Sequence, residues 1–410
     1  MKIKQVKGRM IFDSRGNPTV EATVYTEDFK VKASAPSGAS TGKHEAVELR
    51  DGGSDYKGKG VKKAVANISK IDGIITGLEV ENQQEIDDAM KWADGTENKA
   101  NFGANAIVAV SMAVARAGAM SKKQELFQYL NPEANRIPYP MMNIVNGGMH
   151  AGSGLAIQEF MIVPVGAKNF VEAMKMGTET YHTLKKILSE NFGPIATGVG
   201  DEGGFAPPIK TTSHVLDTIN LAIEEAGYKG KIKIAMDCAA SSFYVNGKYE
   251  IDEKTLTPDE LIDFYVNLCS NYDIYSIEDP FDEEDFESFA KLHAKVKCKI
   301  VADDLTVTNP KIIKKALEMK CMDTLLLKVN QIGTLSEAMQ AAQMMFDVKG
   351  GVVVSHRSGE TGDTFIADLV VALGCGMIKT GAPCRSERVE KYNRLLEIEQ
   401  ILGDKAVYGL

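Results

Sequence analysis

The stretch Thr324-Leu-Leu-Leu-Lys-Val-Asn330 carries the pattern that decides the predicted fold. Its run of large apolar residues is too short for a helix and is typical of a strand that is buried on both faces. The run ends in Lys328, whose ammonium group is costly to bury without partners. A single lysine at the end of a strand often only extends to water, so this stretch alone indicates little about function.

The same pattern recurs along the chain, because other apolar runs also end in one ionisable residue. These residues are Asp237, Glu278, Asp303, His356 and Lys379. With Lys328 included, successive residues from Glu278 onward lie about 25 positions apart, which is room for one loop, one helix and the return to a parallel strand. The sequence therefore predicts an α/β fold with a β/α barrel, in which these side chains converge at the rim formed by the C-terminal ends of the strands.

The length and composition predict two domains. The chain has 410 residues, of which 44% are hydrophobic, enough for a large core. Alternating runs before residue 36 predict an antiparallel sheet of about three strands, and helical spacing follows, with a buried helix around 105–116. The proline-containing stretch 131–140 marks the boundary. We predict an α+β N-terminal domain over residues 1–134 and the barrel over residues 135–410.

The net charge and the cysteine content indicate which partners and which cellular compartment to expect. A net charge of −9 argues against nucleic acid or an anionic membrane surface as a partner. No segment approaches the ~20 apolar residues of a membrane span, and the first residues lack the apolar stretch of a signal peptide. The six cysteines contain no Cys-x-x-Cys pair, which favours reduced thiols in a cytoplasmic protein.

The acidic residues at the predicted rim indicate a metal site. Without a cation, the carboxylates of Asp237, Glu278 and Asp303 would repel one another. Oxygen ligands without Cys or His favour Mg²⁺ over zinc. A cation beside Lys328 would lower the pKa of its amine, so that this lysine could take a proton next to a substrate carboxylate. The cation and Lys379 would stabilise the negative charge that develops.

Two further stretches suit an acid and a phosphate. Glu202 lies in the glycine-rich loop 198–208, and near Glu159 it would form a carboxyl pair in which one member holds a proton for a departing hydroxyl. The sequence at His356, Arg357 and Ser358 offers a guanidinium group and a loop amide to a phosphate. An ordinary surface arginine is the alternative for Arg357.

Two further loops each allow two interpretations when only their residues are considered. The loop 36–42, which contains Ser40, is either a flexible connector or a mobile lid whose hydroxyl binds a cation. His150 lies in the glycine-rich loop 146–154, shortly before Gln158, and a lone histidine in a loop is usually a surface residue.

The longest motifs resemble the enolase family over essentially the whole chain. They include Ser37-Gly-Ala-Ser-Thr-Gly42, Gly200-Asp-Glu-Gly-Gly204, Glu278-Asp-Pro-Phe281, Leu325-Leu-Leu-Lys-Val-Asn-Gln331 and Ser355-His-Arg-Ser-Gly-Glu-Thr361. The resemblance implies reversible, Mg²⁺-dependent dehydration of 2-phosphoglycerate to phosphoenolpyruvate by a homo-oligomer, either a dimer or an octamer. It also implies a barrel that starts irregularly, with a β-β-α-α unit.

The resemblance also implies a role for each matched residue. Lys328 would be the general base and Glu202 the general acid. Two Mg²⁺ ions would bind per site, the second together with the substrate. Glu159 and His150 would support the acid and the base. The first Mg²⁺ would be bound by Asp237, Glu278 and Asp303, and the second by Ser40. The substrate would be contacted by Gln158, His356, Arg357, Ser358 and Lys379.

Three other functions compete with this interpretation. An acid-sugar dehydratase of the same superfamily is disfavoured by Arg357, Ser358 and the loop around Glu202. A Schiff-base aldolase would use Lys328 but would leave the three carboxylates without a purpose. A binding role, for example at the cell surface, could coexist with catalysis and stays open.

Overall fold

The N-terminal part of the chain begins with a three-stranded antiparallel sheet. The structure, a computed structural model, describes residues 1–39, 42–148 and 154–410. Strand β2 is central, is largely buried, and pairs with the other two strands. The sheet predicted from the alternating pattern is confirmed. Its strands are β1 (Gln5–Phe12), β2 (Pro18–Tyr25) and β3 (Lys30–Ser34).

A layer of helices packs against this sheet. Helix α3 is the most deeply buried, as its small apolar residues predicted, and it packs on β2 and β3. By length and composition α3 could cross a membrane, but 83% of that window is buried inside the protein, which is typical of a core helix. The helices are α1 (Lys62–Ile75), α2 (Gln83–Asp94), α3 (Ala104–Ser121) and α4 (Leu126–Leu130).

The remainder of the chain forms a closed barrel with strand order β5-β6-β7-β11-β12-β13-β14-β15. Strand β6 runs antiparallel to β5 and β7, and the other pairs are parallel. The short strand β4, within the predicted boundary stretch, pairs with β16. The strands are β4 (Arg136–Ile137), β5 (Tyr139–Asn146), β6 (Glu159–Val163), β7 (Lys233–Asp237), β8 (Tyr244–Val245), β9 (Lys248–Ile251), β10 (Lys254–Leu256), β11 (Ile274–Glu278), β12 (Lys299–Ala302), β13 (Thr324–Leu327), β14 (Gly351–Ser355), β15 (Met377–Lys379) and β16 (Val407–Tyr408).

The apolar run of β13 is explained by burial on both faces. Leu326 belongs to a small core that is separate from the main one and includes Val301 and Val353 from the neighbouring strands. Leu325 and Leu327 belong to the main core, which includes the helices around the barrel. A strand enclosed on both faces has no polar side to alternate with, so its sequence is continuously apolar.

The barrel begins irregularly, as the resemblance implied. Two helices, α5 and α6, separate β6 from β7. Strands β8 to β10 form a separate small sheet between β7 and α7, and the regular alternation of barrel strand and helix follows from α7 onward. Helix α7 begins with a capping box between Thr257 and Glu260, with Pro258 in its first turn. The helices are α5 (Phe170–Phe192), α6 (Thr212–Glu225), α7 (Pro258–Asn271), α8 (Phe286–His293), α9 (Pro310–Glu318), α10 (Val329–Ile332), α11 (Leu335–Asp347), α12 (Phe365–Leu373) and α13 (Ser386–Leu402).

Buried polar contacts join the N-terminal part to the barrel. The guanidinium group of Arg116 on α3 binds both carboxylate oxygens of Asp363 at 2.7 Å. Asp87 on α2 accepts hydrogen bonds from the backbone and the hydroxyl of Ser336 at the start of α11. These contacts fix the N-terminal part beside the barrel.

All six cysteines are free thiols, as predicted from their spacing. Cys238, Cys321 and Cys375 are buried in the core, where they pack as small apolar residues. The remaining three, Cys269, Cys298 and Cys384, are half-buried.

Candidate active site

The ionisable residues predicted from the strand pattern lie together at one end of the barrel. Strand β6 is antiparallel to its neighbours, so its first residue, Glu159, lies at this same rim. Glu159 is paired in register with Asp237, the last residue of β7. The strand ends thus deliver acidic and basic groups to a single polar cavity. That cavity is lined by Gln158, Glu159, Glu202, Asp237, Ala239, Asp279, Asp303, Asp304, Lys328, Ser355, His356, Arg357, Ser358 and Lys379.

Lys379 joins three carboxylates at the cavity floor. Its ammonium Nζ lies 2.7 Å from Asp237 Oδ2, 2.8 Å from Glu278 Oε1 and 3.5 Å from Glu159 Oε2. All four side chains are buried. Burial alone would lower the pKa of Lys379, but the three carboxylates raise it well above its ordinary value. The lysine is therefore a fixed positive charge in this arrangement.

Lys328 is paired with Asp303. Its ammonium group contacts Asp303 Oδ2, while Gln331 donates to Asp303 Oδ1 at 2.9 Å. Burial alone would raise the pKa of Asp303, but Lys328 and other cations hold that pKa below its ordinary value. Burial likewise opposes the charge of Lys328, yet Asp303 raises the pKa of the amine. In the structure a carboxylate faces this amine. The lowered pKa that the sequence predicts for a lysine beside a bound cation stays a prediction.

Glu202 is held by a loop that only glycine can form. Gly203 has φ +86°, and a Cβ at Gly204 would lie 2.7 Å from Asn146 Oδ1, so the loop packs directly on β5. Glu202 Oε2 accepts a hydrogen bond of 3.0 Å from Asn143. The predicted carboxyl pair is present, since burial and then the charge of Glu202 raise the pKa of Glu159 well above its ordinary value. This raised pKa favours a protonated carboxyl group within the pair.

His356 contacts Glu202 from the other side. Its Nε2 lies 3.5 Å from Glu202 Oε1, and its Nδ1 accepts from Arg388 at 2.6 Å. Acceptance at Nδ1 leaves the proton on Nε2, which faces the carboxyl group. Burial lowers the pKa of His356 to about 4, so this imidazole is neutral at physiological pH.

The donor set at the cavity floor fits a divalent cation. Glu278 Oε2 is buried and has no hydrogen-bond partner among the residues that the structure describes. Burial and then the charge of Asp237 raise the pKa of Glu278 well above its ordinary value. A buried carboxylate oxygen without a donor is the environment that a hard cation satisfies, and the neighbouring ligand atoms are all oxygen. By the chemistry of their oxygens, Asp237, Glu278 and Asp303 therefore suit Mg²⁺. Among the described residues, however, these three do not form a group whose ligand oxygens all lie within 4.8 Å of one another.

A second cluster of three carboxylate side chains shares Asp303 with this set. Ligand oxygens of Asp279, Asp303 and Asp304 lie within 4.8 Å of one another and could also hold a metal ion. However, Asp279 already accepts the backbone N–H groups of Asp303 and Asp304, at 3.0 and 2.7 Å. Because Asp279 is engaged in holding the loop after β12, we favour Asp237, Glu278 and Asp303 as the metal ligands.

Comparison with known families decides the class of protein. The family model described as "Enolase, C-terminal TIM barrel domain" matches residues 134–409. The family model described as "Enolase, N-terminal domain" matches residues 3–130. The chain belongs to the enolase family. Enolase-family membership makes it a lyase-type enzyme with a small-molecule substrate, and domains of this family are typically Mg²⁺-dependent.

In this enolase-family site, Arg357 differs from its predicted state. Its guanidinium Nη1 and Nη2 donate to the two carboxylate oxygens of Glu45 at 2.9 and 3.0 Å, and Nη1 lies 3.3 Å from Asn330 Oδ1. The sequence predicted a fork available to phosphate, whereas the fork is paired with an acidic residue from the N-terminal part. A phosphate ligand would therefore have to share or replace the carboxylate of Glu45.

Some functional contacts were missed from the sequence. Four residues that the sequence did not single out each form a hydrogen bond with a predicted site residue. The pairs are Glu45 with Arg357, Gln331 with Asp303, Asn143 with Glu202, and Arg388 with His356. Each lies on a different loop or element from its partner, so no local spacing links the two. Two predicted residues, Ser40 and His150, lie outside the described residues.

Proposed function

We propose that this enolase-family enzyme catalyses the reversible dehydration of 2-phosphoglycerate to phosphoenolpyruvate, as in cytoplasmic glycolysis and gluconeogenesis. One observation carries the proposal. Lys328 follows β13 and Glu159 begins β6, and these strands are four positions apart in either direction around the barrel. An amine and a proton-bearing carboxyl pair thus face the cavity from opposite sides, which suits removal of a proton and departure of a hydroxyl from adjacent carbons.

The base in this proposal is Lys328. Asp237, Glu278 and Asp303 would hold Mg²⁺, which supplies positive charge for the substrate carboxylate when it is bound. With Asp303 engaged as a ligand, Lys328 loses the partner that raises its pKa. The neutral amine is then favoured, and it can take the proton from C2 of the substrate.

The acid in this proposal is the pair formed by Glu159 and Glu202. Its proton would be given to the departing hydroxyl, and neutral His356 fixes the orientation of Glu202. Lys379 and Gln158, both at the cavity floor, would contact the substrate carboxylate. Arg357 and Ser358 would contact the phosphate, with Ser40 binding a second Mg²⁺ and His150 supporting the acid.

The proposal is tested by following product absorbance with 2-phosphoglycerate and Mg²⁺. Turnover is expected with Mg²⁺, and its loss is expected in excess chelator, with recovery when Mg²⁺ is restored. Dehydration of acid sugars without turnover of 2-phosphoglycerate would overturn the proposal in favour of the related superfamily activity. Trapping of a substrate on Lys328 by borohydride would overturn it in favour of an aldolase.

Matched variants separate the roles from general damage. Lys328→Ala should lose turnover by at least about 10³-fold, since the proton acceptor is removed. Lys314→Ala is the matched control, because Lys314 is an exposed lysine on helix α9. Retention of most activity in Lys328→Ala would contradict the assignment of the base.

A further inference from the structure

Two of the six cysteines touch each other at the end of the barrel opposite the cavity. Cys269 lies in the last turn of α7, and Cys298 directly precedes β12. Their sulfur atoms are 3.5 Å apart, close enough for a thiol–thiol hydrogen bond. Strand β12 runs from this pair to Asp303, so the length of the strand separates the two thiols from the acidic cavity.

The pair lies in an open groove with an excess of lysines. Both cysteines line it, and both are only half-buried. Lys233 is paired with Asp273 at 3.1 Å, and Lys295 with Asp263 at 3.5 Å. The other charged residues that line the groove are Lys297, Lys299 and Asp323, the last of which lies 3.8 Å from His293. The local charge therefore suits an anionic small molecule.

The two thiols are not equivalent. Hydrogen bonding from Cys298 lowers the pKa of Cys269, although burial opposes this. The contact with Cys269, followed by burial, raises the pKa of Cys298. Cys269 is thus the more acidic thiol of the pair and forms the thiolate more readily, which suits an attacking cysteine beside a resolving one.

We propose that Cys269 and Cys298 form a redox-modification site that an anionic low-molecular-weight disulfide oxidises to an intramolecular disulfide. The Cys269 thiolate attacks one sulfur of the small disulfide, forms a mixed disulfide and releases one thiolate. The Cys298 thiol gives up its proton and attacks the Cys269 sulfur, which releases the second small thiolate. The two cysteines are oxidised by two electrons, and one small disulfide is reduced to two thiols.

The site is tested by incubating the folded enzyme with oxidised glutathione. After unreacted thiols are alkylated, peptide mapping by mass spectrometry under non-reducing conditions locates the modified cysteines. We expect a Cys269–Cys298 disulfide, with Cys238, Cys321 and Cys375 alkylated only after unfolding. Cys298→Ser should stop at the mixed disulfide on Cys269, and Cys269→Ser should leave Cys298 unmodified.

The matched control is Cys384→Ser, since Cys384 is the remaining half-buried cysteine. That variant should form the Cys269–Cys298 disulfide at the rate of the unsubstituted enzyme. The proposal is overturned if glutathione modifies Cys384 as fast as Cys269, or if the cysteine pair stays reduced while unfolded enzyme reacts. It is also overturned if Cys298→Ser and Cys269→Ser accumulate mixed disulfides equally.

Discussion

Replacing Lys379 with methionine would remove the ammonium group that three buried carboxylates share. The ammonium lies 2.7 Å from Asp237 and 2.8 Å from Glu278, and each of these side chains is at most 5% exposed. Removing one partner of a buried ion pair typically costs about 3–5 kcal/mol, because it leaves uncompensated charge in the interior. We expect Lys379→Met to destabilise the metal-free enzyme by that amount at pH 7.

Protonation of a carboxylate sets a limit on this cost. Protonating a carboxyl group of ordinary pKa at pH 7 requires about 4 kcal/mol, which agrees with the upper part of the expected range. The folded variant would then hold one proton more than the folded unsubstituted enzyme, while its unfolded chain stays ionised above about pH 5. Stability of the variant relative to the unsubstituted enzyme should therefore rise by about 1.4 kcal/mol for each pH unit from pH 7 down to pH 5.

Urea unfolding in chelator, followed by far-ultraviolet circular dichroism, measures both effects. Fluorescence is less suitable because Trp92 is the single tryptophan and is 92% exposed. Lys314→Met provides the control, since the side chain of Lys314 is exposed. A loss below about 1 kcal/mol for Lys379→Met, or a loss that does not shrink toward pH 5, would refute the argument that Lys379 neutralises buried charge.

Three further predictions concern the barrel core, the histidine and the metal. Leu326→Ala should cost about 2–5 kcal/mol in urea unfolding, because Leu326 fills the barrel interior, whereas exposed Leu221→Ala should change stability by less than about 0.5 kcal/mol. His356 should stay neutral well below pH 6 in nitrogen-15 NMR spectra of the folded enzyme, and titration near pH 6.5 would contradict this. The histidine of the unfolded chain takes up a proton below about pH 6.5. The free energy of unfolding should therefore fall as the pH decreases from about 6.5 toward 4. Mg²⁺ at about 100 times its dissociation constant should stabilise the enzyme by about 2.7 kcal/mol, and Glu278→Gln should lose most of this gain; an equal gain in both would exclude Glu278 as a ligand.

The strand pattern predicted the rim because it depends on local chemistry. A run such as 325–327 consists of large apolar residues that are buried in the strand, and the ionisable side chain that follows it lies at the end of the barrel. The spacing between these runs supplied the parallel order. Family resemblance supplied the irregular start, where β6 reverses direction and no regular period exists.

Contacts between distant segments could not be predicted in this way. Glu45 lies 312 residues from Arg357, and the pairing depends on how the N-terminal part packs against the barrel. Arg388 reaches His356 from helix α13 for the same kind of reason. The sequence likewise indicates which charges are present, but not that Asp303 lies against Lys328 and raises the pKa of its amine.

Exchange of the C2 hydrogen of 2-phosphoglycerate with solvent tests the central claim most directly. In D₂O with Mg²⁺, proton NMR follows loss of the C2 signal separately from formation of phosphoenolpyruvate. Glu202→Gln should exchange this hydrogen without dehydrating the substrate, and Lys328→Ala should do neither while still binding Mg²⁺. Exchange by Lys328→Ala at close to the rate of the unsubstituted enzyme would contradict the account, because another group would then be the base.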